Sequence, residues 1–263
     1  MSDTDDDIEE VVRVAMWSGP RNISTAMMRS FENRPDTYVV DEPFYAVYLD
    51  RTGLEHPMRA ECLASQSTNW RLVVAELMGE LPEGRRIVYQ KQMTHHMLDG
   101  IGLDWMAKCR NAFLIRSPER VLASYAAKRP DVTLDDIGFV RQAELFDIEA
   151  DRLGTAPPVV DADDILTDPR RVLAALCGAL GIPFNSRMLS WPAGSRETDG
   201  VWAPVWYASV ERSTGFAAPN AEAPILDDGL ARIADAARPF YERLALYRLV
   251  PAVTADQTCT DQL

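Results

Sequence analysis

Residues 11–17, VVRVAMW, form a compact β-branched run that stops at Ser18-Gly19-Pro20, after which Ile23, Met27, Met28 and Phe31 recur at helical spacing. A compact apolar run closed by turn residues reads as a buried strand, and the change of period marks a helix. Strand, tight turn and helix in that order commit the chain to an α/β arrangement. The same junction puts the unbonded N–H groups of a helix N-terminus, a small-residue turn, Arg21 and the hydroxyls of Ser24 and Thr25 around one point. That point suits an anion. A plainer alternative is an ordinary helix capped by Ser24. A Walker A loop is excluded, because the turn has neither the G-x-x-x-x-G-K spacing nor a lysine.

The pattern continues along the chain. Further strands are expected in YVV (38–40), RRIVYQKQM (85–93), NAFLIR (111–116) and PVVDAD (158–163). Helices are expected over 57–79, 118–128, 134–153, 169–180 and 227–247, with a short helical connection at 98–109. Pro118 fits the first turn of its helix and Gly181 a helix exit. This alternation implies a single three-layer α/β domain over 11–250, a mainly parallel sheet flanked by helices. The acidic residues 1–10 read as a disordered tail and 251–263 as a frayed one. From 190 to 224 the chain is rich in Trp, Pro, Gly and Ser without periodicity, which reads as a lid or a disordered insert.

A net charge of −13, from 27 basic and 40 acidic residues, repels a phosphate backbone over most of the surface and argues against nucleic acid as a partner. An anionic ligand must then be met by individual arginines. Cys62, Cys109, Cys177 and Cys259 show neither a C-x-x-C pair nor metal-ligand spacing, so reduced thiols and no metal site are expected. The start lacks the pattern of a signal peptide, and no later run nears the roughly 18 apolar residues of a membrane span. A soluble, cytoplasmic protein with no membrane partner is expected; the oligomeric state stays open.

Residues 17–31, WSGPRNISTAMMRSF, resemble the 5′-phosphosulfate loop of the sulfotransferases, a strand ending in a P-[RK]-[SN]-x-[ST]-[ST]-like turn. FLIRSPERVLASYAA (113–127) resembles that family's 3′-phosphate segment, a strand-end arginine with a serine eight residues on. DILTDPRRVLAALCGALGIPF (164–184) is similar to a further family helix with an Asp-Pro start and a Leu-Gly-Ile-Pro exit. The resemblance implies a P-loop-like sulfotransferase fold and a metal-free, in-line transfer of sulfonate from 3′-phosphoadenosine-5′-phosphosulfate to a hydroxyl or amine of a small molecule. It implies a donor site made of Gly19, Pro20, Arg21, Asn22, Ile23, Ser24 and Thr25, with Arg116 and Ser124 at the 3′-phosphate. Taken singly, Arg116 is a surface ion pair and Ser124 a helix-surface serine. Arg212, Ser213, Thr214 and Gly215 are a loose analogue of the family's nucleotide-covering R-K-G loop. Trp202, Trp206, Tyr207 and Phe216 stack on adenine, wall the acceptor site, or simply pack.

For the base, VVDEPF (39–44) resembles the strand on which carbohydrate sulfotransferases place a glutamate before an aromatic, which singles out Glu42, with Asp41 out of phase beside it. His95 and His96 compete: IVYQKQMTHHM (87–97) looks like the family strand bearing K-x-H, although here three residues separate Lys91 from His95. Lys91 is a candidate to stabilise charge on the bridging oxygen. Two other classes remain: a small-molecule kinase using ATP, and a catalytically silent nucleotide-binding module. The acceptor itself is not named by any motif.

Overall fold

The computed structural model describes residues 11–129, 131–219 and 222–250, so the tails expected at 1–10 and 251–263 lie outside the described residues. Five strands, β1 (Val12–Ser18), β2 (Thr37–Asp41), β3 (Ile87–Met93), β4 (Arg110–Ile115) and β5 (Val159–Asp161), form one sheet in the order β2-β3-β1-β4-β5. Every pairing is parallel. Strands covered on both faces have no polar side, which is why the centres of β1, at 14–17, and β4, at 112–115, are apolar throughout. In β1, Val14 and Met16 enter one apolar cluster while Ala15 and Trp17 enter the other; in β4, Ala112 and Leu114 alternate in the same way with Phe113 and Ile115.

The helices are α1 (Ser24–Glu32), α2 (Tyr45–Thr52), α3 (Arg59–Ser65), α4 (Trp70–Leu77), α5 (Pro118–Ala126), α6 (Phe139–Leu153), α7 (Ala162–Thr167), α8 (Pro169–Ala179), α9 (Ala203–Trp206), α10 (Ala208–Glu211) and α11 (Asp228–Ala245). On one face of the sheet, Met27 and Met28 of α1 pack with Leu173 and Leu176 of α8. On the other lie Val73 and Leu77 of α4, Phe146 of α6 and Leu244 of α11. The three-layer parallel α/β expectation therefore holds.

Three expectations need correction. The helix drawn over 57–79 is two helices, α3 and α4, because Asn69 restarts the chain by accepting the Arg71 N–H at 3.0 Å. Helices α2, α7, α9 and α10 lie where the sequence pattern predicts no helix. The aperiodic segment 190–224 is fastened down. The Arg29 guanidinium, 1% exposed, lies 2.6 Å from Asp199, Arg196 pairs with Glu32 at 3.5 Å, and Asn33 donates to the Ser190 carbonyl at 2.6 Å. These contacts fix this covering segment to α1, so it is a wall and not a loose insert.

The connection leaving β1 runs towards β2 on one side of the sheet, and that leaving β4 runs towards β5 on the other. Such a divergence opens a crevice at the carboxyl ends of the strands.

Candidate active site

The turn after β1 is built from strained backbone. Arg21 and Ile23 lie in the left-handed region, with φ of 62° and 54°, which is a sterically poor state for a β-branched residue. It persists because the turn is held from behind. The Asn22 amide, buried, donates to the Leu114 carbonyl at 3.2 Å, and at Gly19 a Cβ would stand 2.4 Å from the Ile137 carbonyl oxygen. Gly19 and Asn22 therefore shape the turn but stand off the cavity wall, whereas Pro20, Arg21, Ile23, Ser24 and Thr25 line it. Ser24 is the first helical residue, not the cap. Ile23 holds the N-cap position of α1 and gives no side-chain hydrogen bond, so the first-turn N–H groups meet no side-chain acceptor there.

Two arginines join this turn to the end of β4. The Arg21 Nε donates to Ser124 Oγ at 2.8 Å, and Arg116 donates to the Arg21 carbonyl at 2.9 Å. Arg116 Nε is buried without a partner. Neither guanidinium is ion-paired with a carboxylate among the described residues. Burial lowers the pKa of both, and for Arg116 the neighbouring Arg120 and Arg21 add to the effect while Asp163 opposes it. Two half-desolvated cations beside an uncapped helix start make a receptor for an anion. Of the expected covering residues, Ser213 and Gly215 line the cavity, while Arg212 and Thr214 are exposed and off its wall. The Thr214 carbonyl is taken by the Trp191 N–H at 3.1 Å.

Opposite this end, Glu42 leaves β2 with φ of 42°. Its N–H donates to the Lys91 carbonyl at 3.0 Å, and its carbonyl accepts from Tyr45 N–H and from Gln66 Nε2, each at 3.1 Å. Three ties override the backbone preference. The side chain lines the cavity, and Oε1 lies 2.8 Å from Lys91 Nζ. Lys91, 1% exposed, also bonds Asp41 at 3.0 Å and Tyr207 at 2.5 Å. Burial raises the Glu42 pKa, Lys91 opposes this and Asp41 adds to it, with a net rise. For Lys91, burial acts to lower the pKa, but Asp41 and Glu42 outweigh it and keep the ammonium charged. A carboxylate raised towards neutrality and facing a cavity fits a general base.

The chain's only three histidines, His56, His95 and His96, meet on the same wall. His96 lies between Tyr45 and Tyr48, with both ring centroids 4.8 Å away, and His95 meets it edge-on at 4.4 Å. Tyr45 OH bonds His56 Nδ1 at 2.9 Å. Burial pushes the pKa of His95 down to about 3 and of His56 to about 4, and carries His96 well below its ordinary value. All three are neutral near pH 7 and serve first as an aromatic packing unit. His56 was missed in the sequence; its only signal was that it is the remaining histidine.

One cavity of about 450 Å³ connects these parts, a size suited to a small ligand. Arg21, Ser24, Thr25, Arg116 and Ser124 come from the segments after β1 and β4, whereas Glu42, Tyr45 and the histidines come from those after β2 and β3, on the other side of the sheet order. Trp202, Trp206, Tyr207 and Phe216 of the covering segment complete the wall.

Comparison with known proteins gives three findings. A family model described as a sulfotransferase domain matches residues 12–246. Over 206 residues, 78% of this chain, it is 40% identical to "Branched-chain-amino-acid aminotransferase-like protein 1" and 36% identical to "Branched-chain-amino-acid aminotransferase-like protein 2", both of Arabidopsis thaliana. The chain spans about a third, 36%, of the length of these curated relatives. Among solved structures, the "Sulfotransferase Domain from the Synechococcus PCC 7002 Olefin Synthase" is 16% identical with a TM-score of 0.46, covering 88% of this chain and 96% of that one. The "Sulfotransferase Domain from the Curacin Biosynthetic Pathway" is 15% identical with a TM-score of 0.47, covering 93% and 94% respectively.

Proposed function

The chain belongs to the sulfotransferase-domain family, and from that premise we propose that it moves a sulfonate group from 3′-phosphoadenosine-5′-phosphosulfate to a hydroxyl or amine of a small molecule. The observation that carries this reading is the pair Arg21 and Arg116, without carboxylate partners, set beside the uncapped start of α1 and facing Glu42 along one cavity.

The donor supplies an activated sulfonate. Arg21, Ser24, Thr25 and the N–H groups of α1 hold its 5′ end, where helix N-terminus and guanidinium together neutralise the departing phosphate. Arg116 and Ser124 hold the 3′-phosphate; Ser124 accepts from Arg21 and so keeps its own proton for an acceptor. The unpartnered Arg116 Nε is the observation that fits this assignment. Glu42 takes the acceptor proton through its cavity-facing carboxylate, and Lys91 acts as its counterion. The walls of the covering segment exclude water and align the reacting groups. The name of the plant relatives belongs to proteins that this chain matches over 36% of their length, and it is not carried over.

Calorimetric titration tests the donor class. 3′-Phosphoadenosine-5′-phosphate should bind at least about tenfold more tightly than ATP, the worth of one charge-assisted phosphate contact. Tighter binding of ATP would replace this reading with that of a kinase.

A further inference from the structure

Tyr207 comes from the covering segment, at the junction of α9 and α10, and its hydroxyl has no bonding capacity left. It donates to Asp41, with Oδ2 at 2.6 Å and Oδ1 at 2.9 Å, and accepts from Lys91 Nζ at 2.5 Å and Trp202 Nε1 at 3.0 Å. A phenol has one proton and two lone pairs, so the set is complete. Lys91 is saturated in the same way: its three protons meet Asp41, Glu42 and Tyr207. Asp41 also accepts the Gly200 N–H at 3.0 Å, a second contact from the covering segment. Tyr207 is 4% exposed and Trp202 1%, so water does not substitute for these bonds.

An ammonium held by three fixed acceptors has one position. Take away the phenol, and Asp41 loses a donor while Lys91 loses an acceptor; the ammonium then moves towards Asp41, which has lost a partner, and away from Glu42. We infer that Tyr207 is a positioning residue: acting through Asp41 and Lys91, it holds the Glu42 carboxylate in place and ionised at the acceptor end of the cavity. The inference rests on the reading of Glu42 as the base. The titratable groups that interact electrostatically with Glu42 are Lys91 of β3, Asp41 at the end of β2, Tyr45 of α2, Cys62 of α3, Tyr125 of α5 and Tyr207. Lys91 is the cation in that set and therefore the group that favours the ionised form. Only Oε1 of Glu42 is engaged by it, which leaves Oε2 for an acceptor proton.

The covering segment, on this view, does more than roof a nucleotide. It supplies Tyr207, Trp202 and the Gly200 N–H as the outer clamp of the base. The test is the Tyr207→Phe variant of the full chain with carboxyl-labelled glutamate, followed by carbon NMR, the Glu42 signal being assigned by its loss in Glu42→Gln. The Glu42 titration should move up by about one unit relative to the wild type. Sulfonate transfer, where the donor is accepted, should slow about tenfold with donor Kd unchanged. A folded Tyr207→Phe protein whose Glu42 titrates as in the wild type overturns the inference, and this readout needs neither donor nor turnover. If Tyr207→Phe does not fold, Asp41→Asn replaces it. Removing that charge frees Lys91 for Glu42, so the Glu42 titration should fall; no shift overturns the proposed linkage.

Discussion

Replacing Arg116 by alanine removes a guanidinium that has no carboxylate to satisfy and one hydrogen bond to the Arg21 carbonyl, whereas a bound phosphate loses a charge-assisted contact. Arg116→Ala should weaken binding of 3′-phosphoadenosine-5′-phosphate by about 1.5 to 3 kcal/mol, roughly tenfold or more, and binding of the analogue without the 3′-phosphate far less. Ser124→Ala should act in the same direction and more weakly. Calorimetry on both nucleotides decides it, and equal losses would move these residues away from the 3′ end. At the opposite end, Glu42→Gln should lower turnover by about 10² while donor affinity stays within a few-fold, because a base acts in the transition state. Activity should rise with pH through the Glu42 pKa, and that pKa lies above the ordinary carboxylate value because of burial. If His95→Ala or His96→Ala abolishes turnover while Glu42→Gln does not, the base belongs at the end of β3. Glu42 lines the cavity and Asp41 does not, but the reason is the turn by which Glu42 leaves β2 at positive φ, not the strand alternation expected from the sequence. What could not be read was the partner set: nothing in the sequence places Tyr207, 116 residues from Lys91, on its ammonium.

Elements were legible in proportion to how far local pattern decides them. β1 and β4 are buried on both faces and announce themselves by their apolar centres, whereas β3 is equally buried but carries Gln90, Lys91 and Gln92 in mid-strand. Helix α2 has no side-chain cap at Phe44, and it follows the turn at Glu42 without a start signal, so its existence depends on packing against the histidines. The covering segment is the extreme case, because tertiary ion pairs hold it in place of periodicity. Arg29 is 1% exposed and the Asp199 side chain 4%, so Asp199→Ala takes from a buried cation its nearer partner and leaves it only Glu32, at 3.4 Å. Loss of one member of such a pair costs on the order of 3 to 5 kcal/mol. Denaturant unfolding of Asp199→Ala should show a loss of this order, and limited proteolysis should cut near 192–199 where the wild type resists. A variant as stable and as resistant as the wild type would mean that the Trp202 and Tyr207 packing alone seats the segment.

At the scale of the whole molecule, the histidine cluster gives the fold a pH dependence whose sign can be worked out. With a net charge of −13, mild acidification reduces the overall repulsion, which by itself favours the compact state. The cluster works against this. His56 and His95 have folded pKa values of about 4 and about 3, His96 lies well below its ordinary value, and all three return to about 6.5 on unfolding. The unfolded chain therefore binds more protons below that point, and the stability these groups contribute is complete above pH about 6.5 and lost as pH falls towards their folded values. Glu42 and Asp161 oppose the trend, since burial raises both and the folded state takes up their protons first. Because the chain has no other histidine, the effect has one location: the junction of α2, residue 56 and the end of β3 beside the cavity. Denaturant midpoints should drop from pH 7.5 to pH 5, and His56→Gln, which keeps a hydrogen-bonding group near Tyr45 but cannot take the proton, should flatten that slope. An unaltered slope in a folded His56→Gln protein would place the acid sensitivity on the carboxylates instead.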